Sequence, residues 1–159
     1  MPSEHDAHYQ RPGWFTRQVF NRVVILLTRY GISVLGSREL RVRGRKTGEW
    51  RTTPVNLLVH KGNRYLVAPR GHTQWVSNLR AAGSGELRVG RRVEEFAATE
   101  ITDDHKPEIL RAYLRRWKVE VGIFFGGVDA NSSEADLRRI APNHPVFRLR
   151  APSETMAPG

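Results

Sequence analysis

The chain is 159 residues long, 39% hydrophobic and 26% charged, which suits one globular domain with a core of its own. It holds no cysteine, so a disulfide framework, a thiolate metal site, an iron–sulfur cluster and a cysteine nucleophile are all excluded. Basic residues outnumber acidic ones by 26 to 16, and the resulting charge of +10 points to an anionic partner: nucleic acid, an acidic membrane or a phosphorylated ligand.

Residues 1–12 are polar, end in Arg11-Pro12 and read as a flexible tail. They lack the pattern of a signal peptide, and a cytoplasmic protein is expected. A single domain is expected over residues 13–150. Its first element is an amphipathic helix from Trp14 to Tyr30, with Phe15, Val19, Phe20, Val23, Leu26 and Leu27 at helical spacing. Arg22 and Arg29 interrupt the apolar run from Val19 to Leu35, which falls short of the ~20 residues of a membrane span. This helix packs on the domain or lies on the inner face of the cell membrane as a peripheral contact.

The period then changes. Leu40 and Val42 alternate with Arg41 and Arg43, a strand that ends in a loop from Gly44 to Gly48. A strand from Thr52 to His60, a turn at Lys61-Gly62-Asn63 and a strand from Arg64 to Ala68 form a hairpin. Thr73 to Ala82 is a short helix ended by Gly83-Ser84-Gly85. Glu86 to Val89 and Val93 to Ile101 are strands around Gly90-Arg91-Arg92. Asp103-Asp104 cap a helix with Pro107 in its first turn and Arg111, Arg115 and Lys118 on its outer face. Ser133 to Ile140 is a short helix and Pro145 to Arg150 a last strand. Ala151 to Gly159 form a second flexible tail. Short antiparallel strands with inserted helices make an α+β fold built on a small barrel.

Conventional catalytic signatures are missing. No G-x-G-x-x-G, P-loop or H-E-x-x-H motif occurs, the histidines are scattered, and no metal site is expected. The basic stretch is Arg38 to Arg51, where Arg38, Arg41, Arg43, Arg45, Lys46 and Arg51 face only Glu39 and Glu49. Within it, Gly44-Arg45-Lys46-Thr47-Gly48 reads either as a phosphate cradle, with backbone N–H groups turned on one oxyanion, or as a solvated hairpin tip. Ala68-Pro69-Arg70-Gly71-His72 with Trp75, Asn78 and Leu79 is a second candidate anion site; packing alone also explains Trp75. Tyr113, Trp117, Phe124 and Phe125 form an aromatic set that reads as core or as a pocket wall.

The run Gly-Arg-Lys-Thr-Gly-x-x-Arg-Thr-x-Pro, followed by Tyr-Leu-Val-Ala and by Trp-x-x-Asn-Leu, resembles the deazaflavin-dependent nitroreductase and quinone reductase family, common in actinobacteria. The resemblance runs from about Leu40 to Ile101. It implies a split β-barrel of the flavin-reductase type and hydride transfer from coenzyme F-420, an 8-hydroxy-5-deazaflavin. Carried over by position, Arg45, Lys46, Thr47, Gly48 and Arg51 would hold the coenzyme's phosphate and acidic tail. Thr53, Pro54 and Val55 would line its ring with backbone groups; Ala68, Pro69 and Arg70 would lie near ring or tail, and Trp75, Asn78 and Leu79 would close the site. The acceptor would be a hydrophobic quinone, enone or nitroaromatic, with Tyr113, Trp117, Phe124 and Phe125 as its pocket.

Val76 stands where an aromatic is frequent in that family, and Pro69-Arg70 replace a Ser or Lys; both bear on acceptor orientation. No catalytic side chain is assigned and the oligomeric state is not legible. The alternatives are an FMN-dependent oxidoreductase on the same barrel and a non-enzymatic basic barrel that binds nucleic acid. The latter is disfavoured because basic and aromatic residues do not interleave along the strands. Lys46, Lys61, Lys106 and Lys118 are the only lysines, and a balance so rich in arginine also fits the codon bias of an actinobacterial source.

Overall fold

The computed structural model describes residues 37–152. The helix expected over Trp14 to Tyr30, the first tail, and the second tail beyond residue 152 lie outside the described residues. Six strands form a closed antiparallel barrel in the order β1-β2-β3-β6-β5-β4. They are β1 (Ser37–Arg43), β2 (Trp50–His60), β3 (Asn63–Val67), β4 (Ser84–Val89), β5 (Arg92–Glu100) and β6 (Val146–Arg150). Three helices are inserted: α1 (Gln74–Ala82), α2 (Lys106–Val121) and α3 (Glu134–Ile140). Among the described residues no helix is long and apolar enough to cross a membrane.

The alternation of β1 sets the inside of the barrel. Leu40 and Val42 point inward and pack with Leu66, Leu87, Phe96, Phe147 and Leu149. The ring closes where β1 meets β4, with Leu40 opposite Leu87. At that seam Gly85 pairs with Phe96. A Cβ on Gly85 would lie 2.8 Å from the Arg41 carbonyl oxygen and 2.9 Å from Phe96 Cζ, so only glycine lets the phenyl ring cross the strand there.

The antiparallel order sends the connections to two opposite ends. At one end, β2 and β3 are joined by Lys61-Gly62, with φ of 50° and 79°, the left-handed pair of a two-residue hairpin turn. Gly90-Arg91 joins β4 to β5 at the same end. This end carries a partly exposed charge cluster: Glu94 accepts from Arg64 at 2.7 Å and from Arg92 at 3.1 Å. The hydrogen bond from Arg64, and then the positive fields of Arg64, Arg92 and Arg38, hold the Glu94 carboxyl below its ordinary range against the effect of burial.

The opposite end carries the loop 44–49, the connection 68–83 with α1, and the connection 101–145 with α2 and α3. Helix α1 plugs it: Val76 and Leu79 are fully buried in the interior cluster, and the Trp75 ring lies 6.1 Å from that of Phe147. Burying each aliphatic side chain stabilises this arrangement by about 1.5–3 kcal/mol. Gly83 ends α1 in the left-handed region. Helix α2 lies outside the barrel, with Ile109, Leu110, Tyr113, Leu114 and Trp117 against Leu58, Tyr65 and Val67.

Several boundaries differ from the sequence reading. β2 starts at Trp50 rather than Thr52, and β4 at Ser84 rather than Glu86, because Ser84 and Gly85 already pair with β5. Asp103-Asp104 do not cap α2 directly. They form a 3-10 turn ahead of it, and Asp103 accepts an ion pair from Lys106 at 2.7 Å. Lys106 is buried and also donates to the Ala141 carbonyl at 2.9 Å, which ties the start of α2 to the end of α3. Arg111, read as part of an exposed face, is half-buried and donates to the Ala130 carbonyl.

Candidate active site

The glycine-flanked loop is held by its own backbone. Gly44 N–H donates to the Glu49 carbonyl at 2.7 Å and Gly48 N–H to the Gly44 carbonyl at 2.8 Å. Glu49 N–H donates to Thr47 Oγ1, and Arg45 N–H to Asn78 Oδ1. The amides of Gly44, Arg45, Gly48 and Glu49 are therefore committed. This narrows the expectation of a backbone cradle to the amides of Lys46 and Thr47, which have no acceptor among the described residues, with the side chains beside them.

Most cations of the basic stretch are also committed. Arg41 pairs with Glu86 at 2.9 Å and Arg43 donates to the Gly48 carbonyl at 3.0 Å; both guanidiniums lie over the Trp50 ring, at 4.8 and 4.2 Å. Arg45 Nη1 donates to Gln74 Oε1 at 2.9 Å and Asn78 Oδ1 at 2.8 Å, which binds the loop to the first turns of α1. These bonds satisfy Asn78, which is buried. Lys46 and Arg51 are exposed, and among the described residues neither side chain has an ion pair or hydrogen bond. The Thr47 hydroxyl retains its proton as a donor beside them. At the start of α1, Thr73 makes no capping bond and its buried Oγ1 has no partner.

A second feature opens at the same end of the barrel, a cleft of about 530 Å³. It is lined by Pro69, Arg70 and Gly71, by Phe124 and Phe125, and by Arg139, Asn143 and His144. The Arg70 guanidinium sits 5.6 Å from the exposed Phe124 ring. His144 is buried, stacks on Phe125 at 4.1 Å and 19°, and contacts the Ala68 carbonyl through Nδ1 at 3.2 Å. Burial, aided by Lys106 and His72, lowers its pKa despite that hydrogen bond; the ring is neutral at pH 7 and donates Nδ1–H to the carbonyl. Among the described residues no group of three histidines, aspartates or glutamates could hold a metal ion.

The expected cofactor-site residues separate into four groups. Arg45, Lys46, Thr47, Gly48, Arg51 and Asn78 come together around the loop, and Pro69 and Arg70 line the cleft. Thr53, Pro54 and Trp75 are half-buried in their elements. Val55, Ala68 and Leu79 are core residues with side chains inside the barrel, so Leu79 does not close a site but plugs the barrel. Of the aromatic set, Phe124 and Phe125 line the cleft, whereas Tyr113 and Trp117 are 1% exposed beneath α2 and form core, not pocket. Sequence reasoning missed Arg139, Asn143 and His144. No spacing motif links them to Arg70, which lies in a different connection of the chain.

A model of the F420H(2)-dependent quinone reductase family matches residues 8–122. No curated protein matches the sequence. Among solved structures, a chain described as a domain-swapped dimer is 18% identical, with 87% of this chain and 99% of that chain aligned at a TM-score of 0.53. A structure described as an F420-H2 dependent reductase is 17% identical over 72% of this chain and 94% of its own, with a TM-score of 0.50. A protein of unknown function from Agrobacterium tumefaciens is 16% identical over 73% of this chain and 48% of its own, with a TM-score of 0.51. At these identities the likeness is one of fold, a split barrel with flanking helices.

Proposed function

The chain belongs to the F420H(2)-dependent quinone reductase family, a coenzyme F-420-dependent reductase, and we propose that its two cationic stations divide the work. Lys46, Thr47 and Arg51 hold the coenzyme's phosphate and acidic tail, and the cleft beside Pro69, Arg70 and Phe124 receives a planar hydrophobic acceptor such as a quinone, enone or nitroaromatic. One observation carries this reading. In a stretch where Arg41, Arg43 and Arg45 are committed to partners, Lys46 and Arg51 have none among the described residues, so an anion finds two cations that it need not take from these partners.

The residues present fit the coenzyme. Its anionic end matches Lys46, Arg51 and the Thr47 hydroxyl, and the orphaned Thr73 Oγ1 offers a further polar contact at the start of α1. Reduced coenzyme F-420 supplies a hydride, since carbon stands where a flavin has its reactive nitrogen. This chain's own residues bind and align. Arg45, through Gln74 and Asn78, fixes the loop against α1. The segment from Pro69 to Gln74 connects the stations, its first residues lining the cleft and its last holding Arg45. Among the described residues no carboxylic acid lines the cleft, and neutral His144 spends its proton on the Ala68 carbonyl; the proton that completes the reduced acceptor comes from water.

Fluorescence titration of the full chain with coenzyme F-420 tests this. A saturable change is expected, and its midpoint should move to higher concentration as salt is added. Absence of saturation, or a tightly bound yellow flavin in the purified protein, overturns it.

A further inference from the structure

The charge of the cleft is out of keeping with a purely hydrophobic occupant. Among the described residues its lining includes two arginines, Arg70 and Arg139, and no aspartate or glutamate. Arg70 has the face of Phe124 as its neighbour. Arg139 has one ion pair, 3.3 Å to Asp136 on the same helix, in which both side chains are about half exposed or more. A pair of that kind is weak and is readily exchanged for a better-placed anion. The aromatic part of the lining is flat: the Phe124 ring beside Arg70, and the stacked Phe125 and His144 rings.

The volume lies within the range of small-molecule sites. A neutral ring entering it would strip water from two cations and return nothing to them, whereas an anionic substituent would replace the lost hydration with charge-assisted hydrogen bonds. Aromatic walls select planarity and the arginines select charge.

We propose that the cleft takes a planar aromatic acceptor bearing an anionic substituent (carboxylate, sulfonate or phosphate) held between Arg70 and Arg139. This rests on the assignment of the cleft to the acceptor. The same chemistry also exists in the coenzyme's acidic tail, and the experiment separates the two sources.

Naphthalene-2-sulfonate, inert to hydride and fluorescent in its own right, is titrated into the full chain beside its neutral analogue 2-naphthalenemethanol. The sulfonate should bind about tenfold tighter, a gap that salt narrows. Arg139→Gln should remove most of that preference, and Arg138→Gln, one residue away and off the cleft, should not. In turnover with reduced coenzyme, the sulfonate should compete with the quinone acceptor and leave the coenzyme's KM unchanged.

Equal binding of the two naphthalenes, or an equal effect of both variants, overturns the proposal. Competition of the sulfonate with coenzyme, lost when a tail-less deazaflavin replaces it, also overturns it by assigning the cleft to the tail. If the coenzyme itself does not bind, the functional reading fails instead, while direct titration of the naphthalenes still reports the charge preference of the cleft.

Discussion

The two ends of the barrel solve the problem of positive charge in opposite ways. At the end closed by Lys61-Gly62 and Gly90-Arg91, three arginines are gathered around one carboxylate, with Arg64 and Arg92 bonding Glu94 and Arg38 within its field, while Arg91 in the turn is exposed. At the end closed by α1, Lys46 and Arg51 have no partner among the described residues, Arg70 faces a phenyl ring, and Arg139 keeps one exposed pair. What distinguishes the ends is whether a carboxylate of the fold gathers the arginines beside it. Where charge is neutralised within the fold the connections are two residues long, and where it is left over the connections are long enough to build a cleft. The first end holds the barrel shut, and the second presents it to a ligand.

The largest break in that comparison comes from removing the plug. Leu79→Ala empties a fully buried position on α1 and should cost about 2–5 kcal/mol in urea unfolding. Coenzyme affinity should fall with it, because α1 also carries Gln74 and Asn78. Lys46→Ala with Arg51→Ala should do the converse: affinity falls by about 1.5–3 kcal/mol with less salt dependence, and the unfolding midpoint stays in place. Equal losses of stability and affinity in that double variant would merge the two roles.

At the far end, Gly62→Ala places a side chain at φ 79° and should cost about 1–2 kcal/mol of stability without moving coenzyme affinity. The smallest effect belongs to Glu94→Gln, about 1 kcal/mol or less, since the partners are each about a third exposed or more and water screens them. Its pH dependence is the sharper reading. The Glu94 carboxyl is held below its ordinary value in the folded chain, so its contribution is complete above the ordinary carboxylate range and is lost as pH falls through the lowered value. Thermal unfolding of Glu94→Gln should show a flatter acid limb than the unaltered chain below about pH 4.5.

Much of the scaffold was legible because it is written in local order. Alternation at Leu40 and Val42, the Lys-Gly turn and Gly83 after a helical stretch each specify their own element. Closure of the ring was not, since Leu40 meets Leu87 only when chain segments far apart pair. The loop was legible as a cluster of charge, but not in its commitments: Arg41 is answered by Glu86 and Arg45 by Asn78, and neither partner is near in sequence. For the same reason the aromatic set divided. Tyr113 and Trp117 fall on the face of α2 that meets Tyr65 and Val67, while Phe124 lies past the helix end and stays exposed.

Lys106 adds a mechanical consequence. Its ammonium joins Asp103 to the Ala141 carbonyl from a buried position, so the first turn of α2 and the segment that leads into His144 are pinned as one body. The His144 side of the cleft therefore behaves as a fixed jaw. On the proposed reading of the cleft, an occupant of unusual width would be accommodated by Arg70 and Phe124, which are exposed, more than by the buried, stacked Phe125 and His144.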